Sequence, residues 1–234
     1  NIQPLIQCLK SDELGGAAAT ALSTTLLIFD AFNEVLALSE TNKNAKTVID
    51  AWAEGTWFKE KQEIAEQIRL TVYKVPGEIN TDDLSPGTDA WSRPDIPLHA
   101  LAMFKMPREG LEKPLETIDE LKKKGNPLAF VGDVVGTGSS RKSATNSVLW
   151  HMGDEIPCIP NKKEGGFCFG GKIAPIFFNT LEDSGAFPVE CDVSKLNMGQ
   201  EIIFEPFNGK ILDADSGEVL SSFELKTPVL LDEV

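Results

Sequence analysis

Leu128-Ala129-Phe130-Val131, followed closely by Gly136-Thr137-Gly138-Ser139-Ser140-Arg141, is the stretch on which the reading of this chain turns. Four apolar residues in a row predict a short buried strand. Gly136 and Gly138 permit a tight turn and leave its N–H groups accessible. A helix is expected from about Ser140 to Met152, stopped by Gly153. The first N–H groups of a helix have no internal partner, and the helix dipole adds partial positive charge there, so this turn is a candidate anion site. Ser139 and Ser140 add hydroxyl donors, and Arg141 adds a planar fork suited to a carboxylate or phosphate. A phosphate-binding Walker loop needs Lys directly after its second Gly, where Ser139 stands; a dinucleotide loop needs a third Gly where Arg141 stands. Both nucleotide patterns therefore fail, and a carboxylate-rich small molecule fits better. An isolated Gly-Ser turn more often only caps its helix. Ser-Ser-Arg directly after two glycines sets this turn apart.

On either side of the turn, strands and helices alternate. Leu70 to Val75 predicts a strand, with a turn at Pro76-Gly77 and loops from Thr81 to Pro97. Pro114 to Lys124 predicts a helix with Leu115, Ile118 and Leu121 inward and Gly125 as its stop. Ile156 to Ile159 and Phe187 to Glu190 predict strands, and Pro175 to Ser184 a helix closed by Gly185. Glu201 to Phe207 and Glu218 to Leu225 predict a C-terminal hairpin, with turns at Asn208-Gly209 and Asp215-Ser216-Gly217. This is an α/β pattern.

Residues 1–68 read differently, as helices. Leu14 to Leu38 places Leu22, Leu26, Phe29 and Ala37 on one side; Ala45 to Glu54 turns Val48, Ile49 and Trp52 inward; Lys59 to Arg69 turns Ile64 and Ile68 inward. Three such helices resemble the end of a helical repeat stack. The expected organisation is a helical segment over residues 1–68 and a mixed α/β domain over 69–234.

Composition removes several classes of function. The net charge of −14 opposes general binding to phosphate backbones. Cys8, Cys158, Cys168 and Cys191 form no CxxC pair, and His99 and His151 are the only histidines, so no metal or cluster site is expected within the chain. The thiols read as reduced, the location as cytoplasmic, and no apolar run approaches the roughly 20 residues of a membrane helix. The sequence starts at Asn1 without Met and ends abruptly at Val234, and reads as a fragment or a processed chain.

A second candidate segment is Asn80-Thr81-Asp82-Asp83-Leu84-Ser85-Pro86 with Trp91-Ser92-Arg93-Pro94 after it. An arginine on a loop stiffened by Pro94 can preorganise a carboxylate contact. Asp82 and Asp83 are expected to cap the nearby turn or to orient Arg93 by an ion pair.

The Asn80 to Ser85 segment, the Arg93 loop and Gly136-x-Gly138-Ser139-Ser140-Arg141 together resemble the swivelling domain of aconitases. Asp89 to Ala100 and Ser143 to Trp150 resemble the bacterial B type, in which a HEAT-like helical domain precedes the swivelling domain and the cluster-bearing domains follow. The resemblance covers essentially the whole chain. It implies a swivelling β/β/α domain after a short HEAT-like segment. It implies conversion of citrate to isocitrate through cis-aconitate, with 2-methylisocitrate dehydration as a related reaction. Ser139 is then the catalytic base, Arg93, Ser140 and Arg141 hold substrate carboxylates, and Asp82 and Gly138 support them. Asp83 stands where other aconitases have His, and Lys142 where many have an acidic residue. A 4Fe-4S cluster serves as Lewis acid in the family; its ligands are expected outside this chain, and the fragment alone is expected to be inactive. The alternative reading is regulatory: association of two copies through the helical segment, or selective mRNA binding by the cluster-free protein. The small subunits of isopropylmalate-type dehydratases share the swivelling fold but lack the helical start.

Overall fold

The computed structural model describes residues 2–25, 28–55, 64–139, 142–156 and 159–227. The chain divides into two compact units, residues 1–63 and 64–234.

The first unit is helical: α1 (Gln3–Cys8), α2 (Gly15–Ser23), α3 (Ile28–Ser39) and α4 (Lys43–Glu54). Its core is Ile6, Leu9, Ala18, Ala19, Leu22, Ala31, Val35, Ala45 and Val48. Asn42 caps α4 by accepting from Ala45 N, and its amide also donates to Leu9 O at 3.0 Å. The Trp52 indole donates to Leu22 O at 2.8 Å. Ile49 and Trp52 pack against this core as expected.

The expected Leu14–Leu38 helix is two helices, with α2 ending at a Thr24 cap of φ −103° and ψ 4°. That break resets the helical phase. Leu22 is buried, but Phe29 is fully exposed and Ala37 is exposed, while Ala31 and Val35 face inward four residues apart. Leu26 lies outside the described residues. Phe29, Phe32 and Leu36 form an outward apolar side of α3.

The expected Lys59–Arg69 helix is also corrected. Residues 59–63 lie outside the described residues, 64–67 are not helical, and Ile68 and Arg69 open a strand. Ile64 and Ile68 are packed inward, but against the sheet of the second unit. Ile68 pairs with Phe204, and Arg69 meets Glu201 at 2.8 Å.

The second unit is built on β1 (Ile68–Asn80), β2 (Leu128–Thr137), β5 (Phe167–Ile173) and β6 (Phe187–Glu190), all parallel neighbours. β7 (Glu201–Glu205), β8 (Lys210–Asp213) and β9 (Val219–Ser222) extend the sheet antiparallel from the other side of β1. The order is β6-β5-β2-β1-β7-β8-β9. A short hairpin, β3 (Asp154–Ile156) with β4 (Ile159–Glu164), stands apart. The expected Ile156–Ile159 strand is thus two strand ends. The expected C-terminal hairpin is a three-strand meander that includes Lys210–Asp213.

The crossovers carry α5 (Thr81–Leu84), a 3-10 turn at Gly87–Asp89, α6 (Ile96–Ala100), α7 (Pro114–Lys122), α8 (Lys142–Met152) and α9 (Pro175–Glu182). Parallel strands added in one direction by crossovers of one hand put their helices on one face. That face buries Tyr73, Val75, Ile79, Phe130 and Val135 under Ile118, Val148, Leu149, Phe178 and Leu181. Alternate residues Leu70, Val72, Ala129, Val131 and Phe169 enter the other core, with Phe187, Ile202, Phe204 and Phe223. There Phe204 of β7 lies 5.1 Å from Phe187 of β6, ring centre to ring centre. In a flat sheet four strand spacings, roughly 19 Å, would separate them. The sheet therefore curls until its antiparallel end covers its parallel end, which makes the β/β/α layering.

Pro76-Gly77 is no chain reversal. β1 continues through it as a bulge, its register with β2 slipping between Val75 and Glu78 and Gly77 at φ 76°. This brings Asn80 level with Thr137 and aligns the carboxyl ends of β1 and β2.

Candidate functional site

Carboxyl ends of parallel strands are where open α/β sheets place ligands. β1 and β2 end side by side, in two turns of opposite construction.

The β1 turn is built by side chains. Asn80 Oδ1 accepts from Asp82 N at 2.7 Å and Asp83 N at 3.0 Å, and Asp83 Oδ2 accepts from Asn80 N at 2.9 Å. This reciprocal capping box fixes α5. Arg108 braces it from a distant loop. Its Nη1 lies 3.3 Å from Asp83 Oδ2, its Nε and Nη2 donate to Pro76 O at 3.2 and 2.7 Å, and Nη2 also donates to Glu78 O. Phe104, at φ 55°, donates its N–H to Asp83 O at 2.7 Å and stacks on Phe130.

The β2 turn is built by glycines. Gly136 has φ 78° and Gly138 φ 90°. A Cβ on Gly136 would fall 2.2 Å from the Phe177 ring, whereas one on Gly138 would meet nothing nearer than Thr81 Oγ1 at 3.5 Å. Ser139 follows, exposed. α8 begins at Lys142, so Ser139 stands three residues before the first helical residue. Ser140 and Arg141 lie outside the described residues.

The two turns are joined at one point: buried Thr81 donates its hydroxyl to Ser139 O at 2.7 Å. Thr137 Oγ1 also donates to Glu78 Oε1 at 2.7 Å. Between the turns and the start of α9 lies a cavity of about 220 Å³, lined by Thr81, Gly136, Gly138, Ile176, Phe177 and Thr180 among others. Of the expected residues, Gly138 and Ser139 are thus brought against the Thr81-Asp82 segment. Asp82 Oδ1 accepts from Gly87 N at 3.4 Å.

Arg93 is held differently from expectation. Its carboxylate partner is Asp89, 3.6 Å from Nε, and Nη1 donates to Leu98 O at 3.1 Å, while Asp83 is engaged by Arg108. The hydrogen bond from Lys105 to Asp89, 2.5 Å, does most to hold that carboxyl below its usual range, with Thr88 and Arg93 adding to it. The Arg93 side chain keeps about a third of its surface exposed (35%), enough to meet a ligand. Thr81, Asp89, Arg108 and the Ser85–His99 pair were not singled out from the sequence. Only Asp89 carried a local signal there, four residues before Arg93.

An exposed serine on a glycine-shaped turn thus stands at two parallel strand ends, in a chain that matches the aconitate hydratase class. Residues 70–234 match the family model for the Aconitate hydratase 2 N-terminus, and residues 1–58 match that for the Aconitate B N-terminal domain. Aconitate hydratase B of Pseudomonas aeruginosa is 60% identical over 242 residues, covering 100% of this chain and 28% of that protein. The Synechocystis protein of that name is 63% identical over 238 residues (100% and 27%), and the Escherichia coli protein 58% over 242 residues (100% and 28%). A solved 3-isopropylmalate dehydratase of Methanocaldococcus jannaschii aligns at 16% identity and a TM-score of 0.49, over 68% of this chain and 83% of that one. The chain belongs to the aconitate hydratase B family. It spans little more than a quarter of the length of these curated relatives, 27 to 28%.

Proposed function

We propose that this chain is the substrate-binding and proton-transferring part of an aconitase that interconverts citrate and isocitrate through cis-aconitate. In this reading residues 1–63 close a HEAT-like domain and residues 64–234 form the swivelling domain, the boundary lying before Ile64 and not after Ile68. The observation that carries it is the Thr81 bond to Ser139 O, which holds an exposed serine on a glycine turn at the strand ends.

A free serine is a poor base because its alkoxide is costly in water. N–H dipoles of a positive-φ turn and a neighbouring guanidinium stabilise negative charge on its oxygen. Ser139 takes the proton from the substrate carbon; Arg93, with Ser140 and Arg141, holds the carboxylates. Arg93 is suited to this because Asp89 and Leu98 O fix its fork before substrate arrives.

Cys168 and Cys191 do not fit an iron–sulfur cluster. Burial pushes the Cys168 thiol up to about 12 and the Cys191 thiol up to about 11, and a neutral thiol is a poor ligand. They also sit in different cores, on opposite faces of the sheet. Among the described residues, no group of three or more His, Cys, Asp or Glu side chains could hold a metal ion. The 4Fe-4S cluster of the family belongs, in this reading, to residues outside this chain, and the fragment alone does not turn over.

Ser139→Ala in the full-length enzyme tests the assignment. The expected result is near-total loss of turnover with an unchanged circular-dichroism spectrum and melting curve. Turnover close to that of the parent removes Ser139 as base.

A further inference from the structure

Ser85, 1% exposed at the end of α5, is hydrogen-bonded to Ser143 Oγ at 2.7 Å and lies 3.0 Å from His99 Nε2. A hydroxyl both donates and accepts, so this one side chain links the imidazole to the second serine.

The three residues come from three elements. Ser143 is in the first turn of α8, the helix that follows the Ser139 turn. His99 is in α6. The residue before it, Leu98, provides the carbonyl that holds Arg93 at 3.1 Å. Two consecutive residues of one five-residue helix thus grip, from one side, the arginine and, from the other, the start of α8. At its far end α8 is tied to the same short helix, with His151 Nε2 3.0 Å from Ala100 O.

We infer that His99 is a positioning residue: through Ser85 it locks the beginning of α8, and with it the turn carrying Ser139, at a fixed distance from Arg93. This rests on the proposed carboxylate site. His99 touches no reacting atom in this scheme; it sets the spacing between the groups that grip the two ends of the substrate. Loss of this hydrogen bond should weaken substrate binding while leaving the chemical step nearly intact. The expected size is that of one buried hydrogen bond, roughly five- to tenfold in KM.

The test is steady-state kinetics of the full-length enzyme with His99→Leu, His99→Gln, Ser85→Ala and the double variant His99→Leu/Ser85→Ala. His99→Leu keeps bulk but has no hydrogen-bonding group, so KM for citrate rises about five- to tenfold with kcat changed less than about threefold. His99→Gln restores a polar group that can bond to Ser85 and should recover most of the loss. The double variant should be no worse than the worse single one, because both break one chain. A normal KM for His99→Leu, or His99→Gln as impaired as His99→Leu, overturns the inference. Ser139→Ala, assayed alongside, separates this from failure of the site itself. If Ser139→Ala keeps turnover, the proposed reading falls, and a readout that needs no turnover still decides the positioning role. Amide exchange in the first turn of α8 should quicken in His99→Leu and not in His99→Gln; unchanged exchange in His99→Leu counts against the lock.

Discussion

The turns after β1 and β2 occupy equivalent places at neighbouring strand ends, yet they hold their shape by different means. The β1 turn is clamped by a capping box and by an arginine from 25 residues away. The β2 turn has glycines where the other has side-chain bonds, and the hydroxyl of Thr81 reaches across to it. In the proposed site, a turn that presents an exposed serine to a ligand keeps its other side chains out of the way. The stiffness it lacks is supplied by its neighbour. The comparison separates a frame from a working surface, and each can be broken on its own.

The largest expected effect is within the glycine turn. Gly136→Ala puts a Cβ 2.2 Å from the Phe177 ring and 2.4 Å from its Cβ, at a φ of 78°. Neither the ring base nor the helix beneath can yield cheaply, so the loss should be about 3 to 5 kcal/mol, read from urea midpoints. Gly138→Ala makes only ordinary contacts, the nearest being Thr81 Oγ1 at 3.5 Å, and carries the strain of φ 90°, so its cost should be about 1 to 2 kcal/mol. Equal losses at the two positions would show that backbone conformation alone, and not packing against Phe177, demands Gly136.

A smaller effect sharpens the picture at the far end of α8. Burial chiefly depresses the pKa of His151, with Lys122 and Lys163 adding to it against Asp119 and the Ala100 carbonyl bond. The folded pKa lies below the unfolded value of about 6.5, so the unfolded chain binds more protons between the two. The stabilising contribution is complete above about pH 6.5 and is lost as pH falls through the lowered folded value. Melting temperature should therefore drop more between pH 7 and pH 5 in the parent than in His151→Gln. Parallel curves would mean that His151 is not held neutral by the fold.

Much of this fold is written locally. Leu128 to Val131, Pro114 to Lys122, Pro175 to Glu182 and Phe187 to Glu190 carry runs, periodicities and stop residues that need no partner to be read. Lys210-Ile211-Leu212-Asp213 does not: two apolar residues between two turns become a strand only because β7 and β9 flank them. Pro76-Gly77 has turn chemistry, but pairing with β2 and the Gly77 N bond to Asp133, 2.6 Å, carry the strand through it. The site divides in the same way. Ser139 and Gly138 are legible because the turn is contiguous. Thr81 and Ser139 are 58 residues apart, as are Ser85 and Ser143, and no local pattern links them. Arg93 could be singled out, and Asp89 stands four residues before it, but Arg108, the residue that engages Asp83 instead, lies beyond local reach.

The join between the two turns is the most exposed point of this account. Thr81→Val removes the hydroxyl and keeps the shape, and Thr81→Ser keeps the hydroxyl. Turnover of the two variants in the full-length enzyme, at equal thermal stability, measures what the bond to Ser139 O does. The expected result is a loss of about tenfold or more in kcat/KM for Thr81→Val, with Thr81→Ser near the parent. Parent-like turnover in Thr81→Val would show that the glycine turn holds Ser139 in place without its neighbour.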